Sequence, residues 1–435
     1  MLRPIAFDLS RMFIGAAGAT PRGIDRVDMG YATHILAASS DNIGLVPSLA
    51  GMGVLTGREA ARLVARVERH WREDRPPADD AQLDLVRRRL ADPPASPSTE
   101  VGRAQATRIR TLLRYGAMVA DARWSSWRRA ARAVPEDAVY VNTGQFLLGW
   151  PWFFGWLDRR PDVKPVFMMH DLIPVLYPEY SGPILSRHHA RAVRTVARRA
   201  AALIATSRAS GDEIRDAVAR LGRRDLPVHV APLPVSDSLL EGGNASDPGA
   251  WRGLAVEQPY FVTIGNIDQR KNHLLLLQVW REMLRRGAAV PKLVIVGSRG
   301  LRSAELIDVL YRTPGLAAHV IEANNLSSPA MRELIRWARA VLMPSFTEGF
   351  GLPVVESLAL GTPVIASDIP AHREVGGALA VYLDPLDGLG WMREVLARAQ
   401  EGEDAIRARR LALASYRPQS WRSYFREVLP FLQSL

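Results

Sequence analysis

The stretch Pro344-Ser345-Phe346-Thr347-Glu348-Gly349-Phe350-Gly351-Leu352-Pro353-Val354-Val355-Glu356 decides how the rest of the chain is read. Just before it, Ala340 to Met343 is an apolar run of strand length, and Gly349 and Gly351 permit a sharp turn with the backbone close to a ligand. Pro353 suits the first helical position, and Gly361 reads as the helix stop. A strand, a glycine turn and a helix start bring free backbone N–H groups and the positive end of a helix dipole to one point, which suits a phosphate or diphosphate. Glu348 in the turn and Glu356 in the expected first helical turn border that point, and carboxylates accept hydrogen bonds from sugar or ribose hydroxyls. Together they point to a sugar nucleotide. Taken singly, Glu356 would merely complement the dipole and Glu348 would be solvated.

Composition bounds the alternatives. At 435 residues the chain is too long for one ordinary core and suggests two domains, and 48% hydrophobic with 23% charged residues makes it globular. It has no cysteine, which excludes disulfides, thiolate metal sites and thiol nucleophiles. Arg3 and Asp8 interrupt the opening apolar run, so no signal peptide is read, and no run of about 18 apolar residues exists to span a bilayer. A soluble or peripheral cytoplasmic protein is expected. The net charge of +11 fits nucleic acid, an anionic membrane surface or a phosphorylated substrate. Only Lys164, Lys271 and Lys292 are lysines; the other basic residues are arginine, a bias of composition that weakens the nucleic-acid reading.

In chain order, residues 4–8 read as a first strand, followed by Gly15, Gly18 and the turn Thr20 to Arg26 without GxGxxG spacing, so a dinucleotide site is weakly indicated. Arg26 meets a ligand there or is a surface arginine. Residues 57–72 form a basic amphipathic helix, for anionic lipid or for solvent. The Pro-rich stretch 73–105 reads as an excursion inside the first domain. Residues 146–157, containing Trp150, Trp152 and Trp156, lack charge altogether and serve either as aromatic core or as an interfacial, lipid-acceptor surface. Pro165 to Met169 is a buried-strand candidate ending in His170-Asp171; a histidine there faces the crevice where open α/β sheets bind ligands, or is structural. His188-His189 lack carboxylates at ligand spacing, so no metal is expected.

Residues 236–257, rich in Gly, Asn, Ser and Pro, read as an interdomain linker. Beyond it βα alternation resumes, with strands at 260–264, 292–296, 320–322, 340–343 and 364–366, which predicts a second doubly wound parallel sheet. Its first strand ends in Gly265-Asn266-Ile267-Asp268-Gln269-Arg270-Lys271, two cations placed to neutralise a diphosphate or else ordinary loop charges. The tail from Pro418 is an amphipathic helix that needs a partner surface.

Glu348-Gly-Phe-Gly-Leu-Pro-Val-Val-Glu356 resembles the E-x7-E signature of retaining glycosyltransferases of the GT-B fold, specifically glycosyltransferase family 4. His170-Asp171 resembles that family's N-domain histidine, Gly265 to Lys271 its diphosphate loop, and residues 342–374 its donor-binding block; 57–135 matches nothing in it. The resemblance implies an α/β protein of two Rossmann-like doubly wound domains facing a central cleft. It places an acceptor domain at 1–235 with an insertion at about 57–135, a linker at 236–257, a nucleotide-sugar domain at 258–415, and a helix at 416–435 packing back toward the first domain.

Carried over, Glu348 sits at the donor sugar, Arg270 and Lys271 stabilise the diphosphate, and His170 lies near the sugar's 6-position. Glu356 binds the ribose, and Gly265, Gly349, Phe350, Gly351 and Leu352 line the donor. Many members carry Arg where this chain has Asn266, and Arg270-Lys271 would supply that charge. Implied partners are a nucleotide diphosphate sugar, with GDP-mannose the cue of the His170-to-Pro174 wording, a saccharide or lipid-linked saccharide acceptor of surface-polysaccharide assembly, and an anionic membrane surface; no nucleic acid, metal or cofactor is expected. A GT-B epimerase or phosphorylase, or a non-catalytic basic binding protein, is the alternative.

Overall fold

The computed structural model describes residues 2–15, 23–48, 51–72, 80–91, 128–240, 251, 258–300, 303–324 and 326–435. They form two compact units. The first gathers the described residues of Met1–Glu73, Gly102–Pro234 and Gln419–Leu435, and the second those of Asp74–Val101 and Val235–Pro418.

In the first unit, β1 (Ile5–Asp8), β2 (Ile43–Ser48), β3 (Gly51–Leu55), β4 (Arg128–Arg129), β5 (Val139–Asn142), β6 (Lys164–Met169), β7 (Ala202–Ala205) and β8 (Val228–Val230) form one sheet in the order β4-β3-β2-β1-β5-β6-β7-β8. The six strands from β2 to β8 in that order run parallel. Helices cover both faces of such a sheet, which is why its strands are short unbroken apolar runs rather than alternating ones. β3 and β4 add antiparallel pairs at one edge. Pro47 obscured β2 in the sequence; it lies beyond residues 43–45, the ones that pair with β1.

Two ambiguous segments of this unit are resolved. The helix Gly57–Arg72 buries Ala60, Leu63, Val64, Val67 and Trp71, so its apolar face is already spent on the core and only its arginine face meets solvent. The lipid reading of that helix is therefore withdrawn. In 146–157, Leu147, Leu148, Phe154, Trp156 and Leu157 join the core around Tyr140 and Phe167, whereas Trp150 and Trp152 are 42% and 59% exposed. The core reading holds for the first group, and Trp150 and Trp152 stand outside that core.

The helix Trp421–Gln433 closes the first unit from the far end of the sequence. Its Trp421, Tyr424 and Phe425 pack edge-on against Tyr31 of the helix Gly23–Ala38, with the two tyrosine hydroxyls 2.5 Å apart. Trp421 lies so close over Gly30 that a β-carbon there would stand 2.2 Å from the ring. Phe431 stacks on His229 of β8, and the Gln433 amide bonds both the N–H (2.7 Å) and the carbonyl (3.1 Å) of Arg3.

The second unit holds β9 (Tyr260–Ile264), β10 (Lys292–Val296), β11 (Val320–Ala323), β12 (Ala340–Met343), β13 (Val364–Ser367) and β14 (Ala380–Leu383) in the all-parallel order β11-β10-β9-β12-β13-β14. Renumbered within the unit this is 3-2-1-4-5-6, a doubly wound sheet whose order reverses between β9 and β12. Ligands of such sheets bind outside the carboxyl ends of the strands at that reversal.

The structure redraws the expected insertion and linker. The helix Ala81–Ala91 belongs to the second unit, because Leu83, Val86 and Leu90, spaced to share one helix face, find their core there beside Trp251, Ile321 and Leu334. Asp80 caps this helix through Oδ1 while its Oδ2 accepts from the Ser327 N–H at 2.9 Å. Within the expected linker, Asp237–Leu240 is helical and Trp251 is fully buried beneath the Arg87 guanidinium. The remainder of 73–105 and of 241–257 lies outside the described residues, as does the Gly18-to-Arg22 turn.

Candidate functional site

Two loops at the β9/β12 reversal build the site. After β9 the chain turns at Gly265, whose φ of +145° few other residues adopt; a β-carbon there would also stand 2.8 Å from the Lys271 Cε. Asp268 then caps a 3-10 turn, Gln269–Lys271, by accepting from the Lys271 N–H. After β12, residues 344–351 lead into the helix Leu352–Ala359, with Gly351 as its N-cap at φ +99°. The two loops are laced together: the Phe346 N–H donates to the Arg270 carbonyl at 2.9 Å, and Arg270 Nη1 donates to the Thr347 carbonyl at 2.8 Å.

Glu348 is the centre of this arrangement. Its Oε2 accepts from Arg270 Nη1 at 2.7 Å, and its Oε1 accepts from Lys271 Nζ at 2.5 Å and from the Ser345 hydroxyl at 2.7 Å. The Glu348 side chain is 8% exposed, Lys271's 10% and Arg270's 20%. Burial alone would raise the Glu348 carboxyl, but the Arg270 and Lys271 charges and the His372 ring hold it well below the usual carboxylate range. The cluster thus carries two cations and one permanent anion, a net positive charge at the start of a helix. A diphosphate brought to it would meet cations already oriented by the carboxylate.

Glu356, expected in the first helical turn, is the fifth residue of a helix that starts at Leu352, one residue earlier than foreseen. It is buried in the second turn. Gly349, Phe350, Gly351 and Leu352 form the approach to the helix, Phe350 buried and Leu352 half-buried.

Sequence reasoning passed over His372. It sits in the helix Pro370–Gly376, fully buried, with Nδ1 3.0 Å from the Ser367 carbonyl and Nε2 without a hydrogen-bond partner among the described residues. Burial lowers its pKa, against the pull of Glu348, and its ring lies 3.3 Å from where a Gly351 β-carbon would be. The signal was its place inside the block 342–374; its neighbours there drew the reading instead.

His170 lies in the first unit, just past β6. Its Nε2 is 2.9 Å from the Thr143 carbonyl, which can only accept, so the ring proton is assigned to Nε2 and Nδ1 is the acceptor. Burial holds its pKa below the ordinary value, keeping the ring neutral near pH 7. Next to it Asp8 at the end of β1 and Asp28 of the helix Gly23–Ala38 meet the end of β5 in a carboxylate cluster that the sequence did not disclose. Asp8 accepts from the Ser10 N–H, from Asn142 Nδ2 and from the Tyr140 hydroxyl, and Asp28 accepts from the Thr143 hydroxyl at 2.5 Å, its second oxygen having no hydrogen-bond partner among the described residues. Burial pushes the Asp28 carboxyl up to about 8, against the Thr143 hydroxyl and with help from the Asp8 charge.

With this geometry in hand, residues 252–379 match the family described as "Glycosyl transferases group 1". Over that stretch the chain is similar to a group 1 glycosyltransferase domain. The stretch contains β9 to β13, both loops of the cluster, Glu348, Glu356 and His372. The serotype-specific mannosyltransferase WbdA of Escherichia coli is 27% identical over 223 residues, 50% of this chain and 27% of WbdA. The O-antigen chain mannosyltransferase RfbU of Salmonella typhimurium is 36% identical over 157 residues, 34% of this chain and 41% of RfbU. The chain thus aligns with well under half the length of either relative. Among solved structures, Anabaena HepE in complex with UDP superposes over 100% of both chains with a TM-score of 0.60 at 16% identity. Sucrose-phosphate synthase from Thermosynechococcus elongatus superposes over 99% of this chain and 98% of its own, with a TM-score of 0.54 at 16% identity. The fold is GT-B.

Proposed function

We propose that this protein is a retaining hexosyltransferase. It moves a sugar, mannose from GDP-mannose in the specific form of the proposal, from a nucleotide diphosphate donor to a lipid-linked saccharide in surface-polysaccharide assembly (O-antigen, capsule or exopolysaccharide). It would work at the cytoplasmic face of an anionic membrane. The observation that carries the proposal is the Arg270–Glu348–Lys271 cluster at the head of the helix Leu352–Ala359. The mannosyltransferase relatives favour the choice of sugar.

The chemistry follows from charge. Breaking the bond between the sugar and the diphosphate builds negative charge on the departing oxygen, and fixed cations and helix amides stabilise that charge more in the transition state than in the ground state. Arg270 and Lys271 take this role, each oriented in advance by Glu348. The carboxylate, still ionised, accepts three bonds within the cluster and has at most one acceptor site left, on Oε2, for a donor sugar hydroxyl, and Glu356 takes the ribose hydroxyls. Retention is assigned to attack by the acceptor hydroxyl on the face the phosphate leaves, with the phosphate oxygen accepting the hydroxyl proton as the new bond forms. The proposed reaction draws on no metal and no organic cofactor.

Incubation with a panel of nucleotide sugars, without acceptor, tests the donor: slow hydrolysis of GDP-mannose ahead of the others is expected, and binding or hydrolysis of none refutes the proposal. Lys271→Ala leaves Glu348 paired with Arg270, so the fold should survive while turnover falls by roughly 10²- to 10³-fold, as for an oxyanion-hole donor. Near-wild-type turnover would remove Lys271 from the mechanism.

A further inference from the structure

Apart from the donor cluster, the first unit carries an exposed surface that nothing in the transfer chemistry uses. Trp150 and Trp152, on the turn after β5, stand next to the helix Pro183–Arg199: the Trp150 ring meets the His188 ring edge-on at 4.6 Å. His188 shares a helix row with Ile184, four residues before it, and Arg191, three after it. At 3.6 residues per turn, Ile184, Arg187, Arg191, Arg194 and Arg198 fall within an arc of about 80°. All five are exposed, Ile184 at 79%. The helix holds five arginines and no acid. The helix also packs against the helix Ile173–Leu176, where Leu176 and the next residue, Tyr177, are exposed.

Large aromatic and aliphatic side chains held at the surface beside a stripe of arginines combine the two attractions that bring a protein to an anionic bilayer. Indole rings partition to the headgroup level, and guanidinium groups meet the negative surface potential. The opposite face of the helix is spent on the core through Ala192, Val193, Val196 and Ala197, so the stripe itself faces outward, with Arg198 Nη2 3.8 Å from the Asp158 carboxylate at its C-terminal end. We infer that Trp150, Trp152, Ile184 and the Arg187–Arg191–Arg194–Arg198 stripe form the docking surface of this protein on an anionic lipid bilayer. The inference rests on the membrane partner proposed above and names the part of the molecule that meets it.

Sedimentation with phosphatidylglycerol-containing vesicles and with pure phosphatidylcholine vesicles, read together with nucleotide-sugar hydrolysis, tests it. The full chain should bind the anionic vesicles, more weakly as salt rises, and ignore the neutral ones. Arg191→Glu with Arg194→Glu should lose about thirtyfold in vesicle affinity, about 2 kcal/mol at 1.4 kcal/mol per decade, and Trp152→Ala should also weaken binding; hydrolysis should be unchanged in both. If both variants bind vesicles as the wild type does, another surface docks: the inference fails and the membrane partner stands. If the wild type itself ignores anionic vesicles, both fail. Vesicle binding kept by Trp152→Ala while saccharide binding is lost would make the tryptophans a sugar platform and overturn the inference.

Discussion

Replacing Glu348 by Gln separates the structural from the chemical role of the cluster. The substitution keeps the shape but removes the carboxylate charge that pairs with two largely buried cations. Breaking a buried ion pair from one side costs about 3–5 kcal/mol. Because Arg270 remains 20% exposed, the lower end, about 3 kcal/mol, is expected. For a unit of this size that lowers Tm by roughly 6–12 °C. The pH dependence has a fixed sign. The native carboxyl titrates far below its ordinary 4.5, so its contribution is complete above that value and is lost as pH falls further. The gap between wild type and Glu348→Gln should therefore be constant from about pH 6 upward and narrow below about pH 4.5. A nucleoside diphosphate should narrow it as well, because its phosphates replace the missing anion. Calorimetry with and without GDP and UDP reads all of this. Equal Tm values, or a diphosphate-induced rise no larger in the variant than in the wild type, would refute the account of Glu348 as the counter-ion that holds the cations ready.

Two further perturbations probe the first unit. Asp28 keeps its proton up to about pH 8 when folded but releases it near 3.8 when unfolded, so wild-type stability should fall as pH rises across that window, by at most about 1.4 kcal/mol per pH unit. Asp28→Asn, which can still accept from Thr143, should flatten that slope and raise Tm at pH 8, as thermal melts from pH 5 to 8 will show; an unchanged slope would mean that Asp28 is ionised in the native state. Gly30→Ala drives a methyl into the Trp421 ring and should cost about 1–3 kcal/mol. Most of that loss should vanish in a Trp421→Ala background, and simple additivity in the double-mutant cycle would sink the contact.

The features legible in the sequence were those made by neighbours in the chain. The β9 and β12 strands, the glycine turn, Glu348 and the Arg270-Lys271 pair all come from short contiguous segments, and their period and turn chemistry show directly. That Glu348 binds both cations was not legible, because it depends on two loops 77 residues apart meeting at the sheet reversal. The helix Ala81–Ala91 was assigned to the wrong unit for a related reason: periodicity reveals an apolar face but not which core receives it. The Asp8–Asp28–Thr143 cluster likewise gathers single polar residues from three elements, none with a local pattern. Glu356 was misplaced by one residue, just across the boundary between the first and second turns, because the helix begins at Leu352, an offset of the size that helix ends commonly show.

The helix Trp421–Gln433 also bears on how the protein is born. Synthesis runs from the N-terminus, and domains generally fold as units while the chain emerges. Here the unit begun first is completed last: Tyr31, Gly30 and the edge at β8 wait for residues that leave the ribosome only after the whole second unit has been made. Until then an aromatic face on the Gly23–Ala38 helix stands open, an opportunity for a chaperone and a hazard for aggregation. A chain stopped anywhere before Trp421 would leave that face bare for good.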